Sequence, residues 1–193
     1  MTRIAYRRPE EMTERARELT LERGNLNVYR ALANAEKVFT GWMEAGGAAL
    51  SSQVLSARLR ELVVLRTAYL MDCRYELGQH TDIAATAGIG EQEIKALISE
   101  SDWEQPDCVH FSDTERSVVR LTSELLTTRN VSAALFDRVH TALGSAATIE
   151  ILMVIGRYAG LALMLNALDV DLDKSARLTV PAPRGEHHDG GRD

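Results

Sequence analysis

The chain has 193 residues, of which 45% are hydrophobic and 26% are charged, and its formal net charge at pH 7 is -6. This length suits one domain with a sizeable core. The composition is that of a folded globular protein, because disordered chains carry fewer apolar residues. The negative charge, without a Lys/Arg cluster interleaved with aromatic residues, argues against nucleic-acid binding.

Apolar residues recur at helical spacing in almost every segment, and no segment shows the alternation and turn residues of strands. The predicted class is therefore all-α. Pro9 is predicted to open a first helix that Gly24 ends, and a second helical unit covers residues 27 to 50. Ser56 is predicted to cap the helix that carries Glu61.

The second half of the chain shows further helix signals. A short helix is predicted over residues 91 to 98. Ser112 and Glu115 have the spacing of a capping box and predict the start of the next helix. Asn130 and Gly144 divide the remaining sequence into three helices, of which the last is the most apolar.

That last apolar stretch, Ile151 to Leu168, is not predicted to cross a membrane, because Arg157 interrupts it and a span needs about 20 apolar residues. We expect a buried helix and no membrane partner. The charged N-terminal residues lack the apolar core of a signal peptide, so a cytoplasmic location is expected. In that compartment Cys73 and Cys108 are expected to be free thiols.

The segment from Glu61 to His80 places four reactive side chains in an apolar stretch. Cys73, Glu76 and His80 are spaced i, i+3 and i+7 and share one helix face. As an i, i+4 pair, Glu76 and His80 are close enough for the carboxylate to orient the imidazole, which is a possible general acid/base unit. A turn at residues 71 and 72 would fold the preceding helix back and bring Glu61 to the same pocket.

These residues resemble the carboxymuconolactone decarboxylase and alkyl hydroperoxidase D superfamily. Its peroxidase branch has a glutamate, then Cys-x-x-Cys, then a histidine four positions after the second cysteine. Glu61, Cys73 and His80 stand at the glutamate, first cysteine and histidine positions. Glu76 replaces the cysteine that attacks peroxide, whereas the decarboxylase branch shows Glu-x-x-x-His at these two positions.

The flanking sequence is similar to the same group over roughly residues 25 to 172, including Arg58 to Leu62, Gly156 to Tyr158 and Leu165 to Leu168. The resemblance implies a single alkyl hydroperoxidase D-like helical bundle over residues 25–172. An N-terminal helix over residues 1–24 precedes it. The tail over residues 173–193 is rich in Pro and Gly, has no apolar face, and is expected to be disordered.

The resemblance also implies a cofactor-free acid/base enzyme acting on a small molecule, a carboxylated lactone or carbonyl compound. In this hypothesis His80 transfers the proton, Glu76 orients His80 and Glu61 relays the proton. Cys73 either lines the pocket or takes part in chemistry. The second role is considered because a position near a helix start would lower the pKa of its thiol. The residues expected to contact substrate are Tyr75, Gln79 and Tyr158.

Two other functions stay open: a thiol peroxidase, against which the missing second cysteine argues, and a non-catalytic ligand-binding helical protein. We expect a homo-oligomer, because members of the superfamily usually form one and the apolar content exceeds what a small bundle needs.

No metal or other cofactor is expected. Cys108 and His110 have no further ligands at zinc spacing, and a di-iron site would need two Glu-x-x-His motifs, whereas the chain offers Glu76-x-x-x-His80 and Asp137-x-x-His140.

Overall fold

A computed structural model describes residues 2–105 and 111–174, and it confirms the all-α prediction, since these residues contain helices and no strand. The predicted pair Cys108 and His110 and most of the predicted tail lie outside the described residues. The α-helices, in chain order, are α1 (Glu14–Leu21), α2 (Asn27–Leu32), α3 (Glu36–Ser51), α4 (Ala57–Leu70), α5 (Arg74–Thr86), α6 (Glu91–Leu97), α7 (Asp113–Thr128) and α8 (Ala133–Leu168).

Two helix boundaries near the N-terminus differ from the sequence prediction. Pro9 opens a short 3₁₀ turn, Pro9–Glu11, and the extended backbone of Met12 (φ -95°, ψ 152°) separates that turn from α1. The predicted unit over residues 27 to 50 is divided into α2 and α3 because Ala35 has non-helical dihedral angles (φ -113°, ψ 58°). The predicted caps are present, since the Ser56 hydroxyl accepts a hydrogen bond from the Leu59 amide and Ser112 forms a capping box with Glu115.

Helix α4 is the centre of the bundle. It packs against α5, α7 and α8, and its residues 61 to 68 are all buried. A helix that is covered on every side has apolar residues on every face, which explains why the consecutive residues Leu62 to Leu65 are all apolar. The buried carboxylate of Glu61 and guanidinium of Arg66 are the charged exceptions on this helix.

A tight turn joins α4 to α5. Asp72 adopts a left-handed conformation (φ 51°), which aspartate tolerates better than most residues. The Cys73 amide donates to the Ala68 carbonyl at 2.9 Å. The turn folds α5 back along α4, so that residues near the start of α4 face residues near the middle of α5.

Helix α8 is long and apolar and packs against α4, α7 and α3. By length and composition it is the one helix within residues 2–105 and 111–174 that could cross a membrane, although the core helix of a bundle passes the same test. Gly144 interrupts it with dihedral angles of φ 77° and ψ 172°. These angles lie in a region that only glycine adopts without strain, so the predicted break at Gly144 is present as a kink.

The conformation of Gly144 predicts the cost of its replacement. No atom lies within 4 Å of a Cβ added at Gly144 or at Gly41. Of these two glycines, Gly144 has a positive φ and Gly41 does not. Gly144→Ala should therefore lower the free energy of unfolding by about 1–3 kcal/mol through backbone strain alone. The control Gly41→Ala, in α3, should raise it by about 0.5–1 kcal/mol. Urea unfolding followed by circular dichroism measures both changes, and equal effects of the two substitutions would contradict the assignment of strain.

Candidate active site

A pocket of about 100 Å³ lies between α2, α3, α5 and α8. Five of the residues singled out in the sequence line it, and other residues from α2, α3, α8 and the loop before α2 complete it. The predicted residues in its wall are Tyr75, Glu76, Gln79, His80 and Tyr158, and the added polar and aromatic residues include Arg23, Tyr29, Trp42 and Arg157.

His80 is held by Glu61 on the opposite helix. Its Nδ1 lies 2.7 Å from Glu61 Oε2, and the Glu61 side chain is 2% exposed. Because a carboxylate only accepts hydrogen bonds, the Nδ1–H donates and Nε2 is left for the pocket. Tyr158 fixes the imidazole from a second direction, with the ring centroids 5.0 Å apart and the planes at 87°.

The predicted role of Glu76 in orienting His80 is therefore wrong, since the imidazole bonds to Glu61. Both carboxyl oxygens of Glu76 are buried and have no hydrogen-bond partner, although the residue lines the pocket. Burial raises the pKa of Glu76 well above its usual value, and the positive charge of Arg157 opposes that rise only partly. A raised pKa favours the neutral form of the Glu76 carboxyl group, which can donate a hydrogen bond into the pocket.

The environment of Cys73 also differs from the prediction. Its thiol is fully buried among Val28, Tyr75 and Leu161 and is absent from the pocket wall. Burial is the main cause that raises the pKa of Cys73 to about 12. The expectation that a helix start would lower this pKa is wrong, because desolvation of the thiolate outweighs the helix dipole.

The polar groups of Tyr75 and Gln79 are engaged by the C-terminal segment. The Tyr75 hydroxyl donates to Asp173 and accepts from the Val28 amide at 3.2 Å. Gln79 Nε2 donates to Asp173 at 3.3 Å, and the Asn27 amide does so at 3.0 Å. Asp173, which we expected to begin a disordered tail, thus fastens the chain beside the pocket and holds two predicted substrate-binding residues.

Arg157 is a residue of the pocket wall whose role the sequence left undefined. Its guanidinium carbon lies 3.6 Å from the centroid of the Trp42 ring, and its Nη1 donates to the Trp42 carbonyl at 2.9 Å. The guanidinium crosses α3 at Gly46, where an added Cβ would lie 2.1 Å from Nη2. The sequence did offer one signal for this residue, a charged side chain within an apolar helix. It does not show that the guanidinium packs against Trp42 and Gly46.

Metal ligands do not come together in the described chain. Within residues 2–105 and 111–174, no group of three or more His, Cys, Asp or Glu side chains is arranged to hold a metal ion. Asp137 and His140 lie on the first part of α8, where His140 bonds to Ser145 at 2.9 Å, far along the chain from Glu76 and His80.

The carboxymuconolactone decarboxylase family model matches residues 36–123, which contain the helix pair that carries Glu61 and His80. No curated protein matches the sequence significantly. An uncharacterized peroxidase-related protein from Ralstonia eutropha, with an alkylhydroperoxidase AhpD core, superposes with a TM-score of 0.77 at 15% identity, covering 90% of this chain and 93% of the other. The debrominase Bmp8, in complex with 2,3,4-tribromopyrrole, gives a TM-score of 0.74 at 12% identity with the same coverage.

A peroxidase-related protein from a Silicibacter species has the same fold, with a TM-score of 0.66 at 13% identity, covering 82% of this chain and 83% of the other. Residues 36–123 thus match the carboxymuconolactone decarboxylase family, and the described residues share the alkyl hydroperoxidase D-like fold of these structures. The resemblance inferred from the sequence is thus confirmed. The hydrogen bond between Glu61 and His80 joins two of the positions on which it was based.

The raised pKa of Glu76 predicts how stability depends on pH. As pH rises above about 4.3, the unfolded chain loses the Glu76 proton while the folded protein keeps it, so this residue lowers the free energy of unfolding. Glu76→Gln lacks that effect. Relative to wild type, the stability of this variant should increase as pH rises above about 4.3.

Urea unfolding at several pH values measures this difference. Glu91→Gln is the control, because Glu91 is exposed and Lys95 lowers its pKa, so its replacement should bring no gain in stability as pH rises. A stability difference between Glu76→Gln and wild type that falls with pH would mean that Glu76 is ionised in the folded protein.

Proposed function

We propose that this protein is a cofactor-free acid/base enzyme that acts on a small carbonyl or lactone compound bearing a carboxylate. The observation that supports this proposal best is the position of His80. One ring nitrogen is bonded to the buried Glu61, and the other is available to a pocket that also contains the unpartnered carboxyl group of Glu76. A proton donor or acceptor of defined orientation therefore lies beside a neutral hydrogen-bond donor.

In the proposed decarboxylation, the bond between the departing carboxylate and the carbon beside the carbonyl breaks. Its electron pair moves to that carbon and the carbonyl oxygen, and carbon dioxide leaves. Protonated His80 then gives the proton on Nε2 to the carbon. Glu61, which is bonded to Nδ1, holds the ring so that Nε2 can reach the substrate.

Glu76 has a different task from the one that the sequence suggested. Negative charge develops on the carbonyl oxygen as carbon dioxide leaves, and a neutral carboxyl group in a dry pocket can donate a hydrogen bond to it. An ionised Glu76 would repel that charge. The burial that keeps the proton on Glu76 thus supports this function, and a simple proton shift on a small ketone would use the same two groups.

Thiol peroxidase chemistry is less well supported by the site. A peroxidatic thiol needs to be accessible and ionised, whereas Cys73 is buried with its pKa raised to about 12. Glu76 occupies the position at which the peroxidase branch has its attacking cysteine. The pocket therefore presents acid/base groups where that chemistry requires a thiolate.

An apolar strip on α8 supports self-association. Ile149, Met153 and Leu163 are exposed, and Gly156 and Gly160, which have open space around them, lie between them on the same helix face. Exposed apolar strips of this kind commonly mark protein contacts. We therefore propose that two copies of the chain pack through this α8 strip.

Site variants test the proposed division of roles. With carboxymuconolactone and small oxo acids as substrates, carbon dioxide release and the exchange of C–H for deuterium in D₂O should both be measurable by NMR. His80→Ala should lower kcat by about 10²- to 10⁴-fold, and Glu61→Gln by at least about 10-fold, because an amide orients and stabilises the imidazolium poorly. Glu76→Gln should lower kcat less than Glu61→Gln does, because the amide of glutamine and a neutral carboxyl group can both donate a hydrogen bond.

Cys73→Ser is the matched control for thiol chemistry and should change kcat little. Loss of turnover in Cys73→Ser together with retained turnover in His80→Ala would reject the acid/base proposal and restore the peroxidase hypothesis. A wild-type protein that binds these compounds without any turnover would support the non-catalytic ligand-binding alternative.

Self-association through α8 predicts the effect of a charge on the strip. Met153→Glu should reduce the molar mass measured by light scattering to that of a smaller species, because a buried unpaired carboxylate is costly. Val38→Glu, at a position on α3 that is also well exposed, changes the charge by the same amount and should leave the mass unchanged. A monomeric wild-type protein would contradict the proposal.

A further inference from the structure

Arg157 is the cation of the pocket that lacks a charged partner. Its one hydrogen bond in the described residues goes from Nη1 to the Trp42 carbonyl, and none of the ion pairs among the described residues includes it. Arg23, the other arginine in the wall, already lies 3.7 Å from Glu22. The guanidinium of Arg157 therefore has donors to offer to an anion.

The surrounding residues hold this guanidinium in one place. It stacks on the Trp42 ring at 3.6 Å, and the missing side chain at Gly46 provides the space that Nη2 occupies. A planar cation fixed on an aromatic ring loses little entropy when it binds a carboxylate, and its fork of N–H groups suits two carboxylate oxygens. Burial lowers the pKa of Arg157, which reflects a desolvated charge that a bound anion would compensate.

A second, independent feature of the same pocket indicates a ligand. Glu76 is 2% exposed, and both of its carboxyl oxygens lack a partner. Buried polar groups without partners are rare in folded proteins. A bound molecule with a carbonyl oxygen near Glu76 and an anionic group near Arg157 would satisfy both side chains.

We propose that Arg157 binds a carboxylate that the substrate keeps throughout the reaction, and that Trp42 and Gly46 position the guanidinium for it. This inference rests on the proposed function and specifies its substrate class. Binding the departing carboxylate would stabilise the reactant rather than the transition state, in which that charge moves away. The substrate of a decarboxylation would therefore carry two carboxylates, and that of a proton shift would carry one.

Binding of 2-furoate and its uncharged analogue 2-furamide, measured by calorimetry, tests the proposal without turnover. Wild type should bind 2-furoate more tightly, and Arg157→Met should weaken 2-furoate binding by about 10- to 100-fold while changing 2-furamide binding little. Gly46→Ala keeps the arginine but displaces its guanidinium, so it should reduce the preference in the same direction. Both variants are first checked for a native circular dichroism spectrum.

Arg120→Met is the matched control, because Arg120 also lies over a tryptophan, at 6.0 Å from the centroid of the Trp103 ring, but away from the pocket. It should retain the preference. Absence of turnover by the wild-type protein, together with a preference for 2-furoate that Arg157→Met removes, would reject the proposed function alone. The role of Arg157 is overturned if wild type shows no preference, if neither compound binds, or if both Arg157→Met and Gly46→Ala keep the preference.

Discussion

The hydrogen bond between Glu61 and His80 connects the core of this protein to its pocket. Glu61 lies on the helix that the bundle buries on all sides, and a carboxylate in that position is destabilising unless it is paired. The imidazole on α5 supplies the partner at 2.7 Å. Because the tight turn at Asp72 sets the register of the two helices, the same turn that builds the core also fixes the orientation of the proposed proton-transfer group.

The two glutamates of the site show how environment separates identical side chains. Glu61 is bonded to a histidine and can balance a positive charge on it, whereas Glu76 has no hydrogen-bond partner and burial raises its pKa. A pair of carboxyl groups in different environments can act as a base-orienting group and as an acid in one pocket. Cys73, one turn from Glu76, is excluded from this chemistry by the same low-dielectric surroundings.

The sequence predicted the helical class, the caps at Ser56 and Ser112 and the break at Gly144, because these depend on local spacing and on the conformational range of single residues. It was wrong at Pro9, where a 3₁₀ turn replaces the helix start, and at Ala35, where non-helical angles divide one predicted unit into two. The break at Ala35 has no local signal, since alanine usually favours a helix.

Sequence spacing by itself determined which residues share the α5 face and, through the superfamily motif, that Glu61 and His80 belong to one site. The tertiary structure decided which carboxylate bonds to the imidazole, because a contact between helices depends on the turn that joins them rather than on an i, i+4 interval. It also decided the state of Cys73 and the placement of Arg157. Burial and the packing of α8 against α3 arise from residues more than a hundred positions apart, which no local pattern encodes.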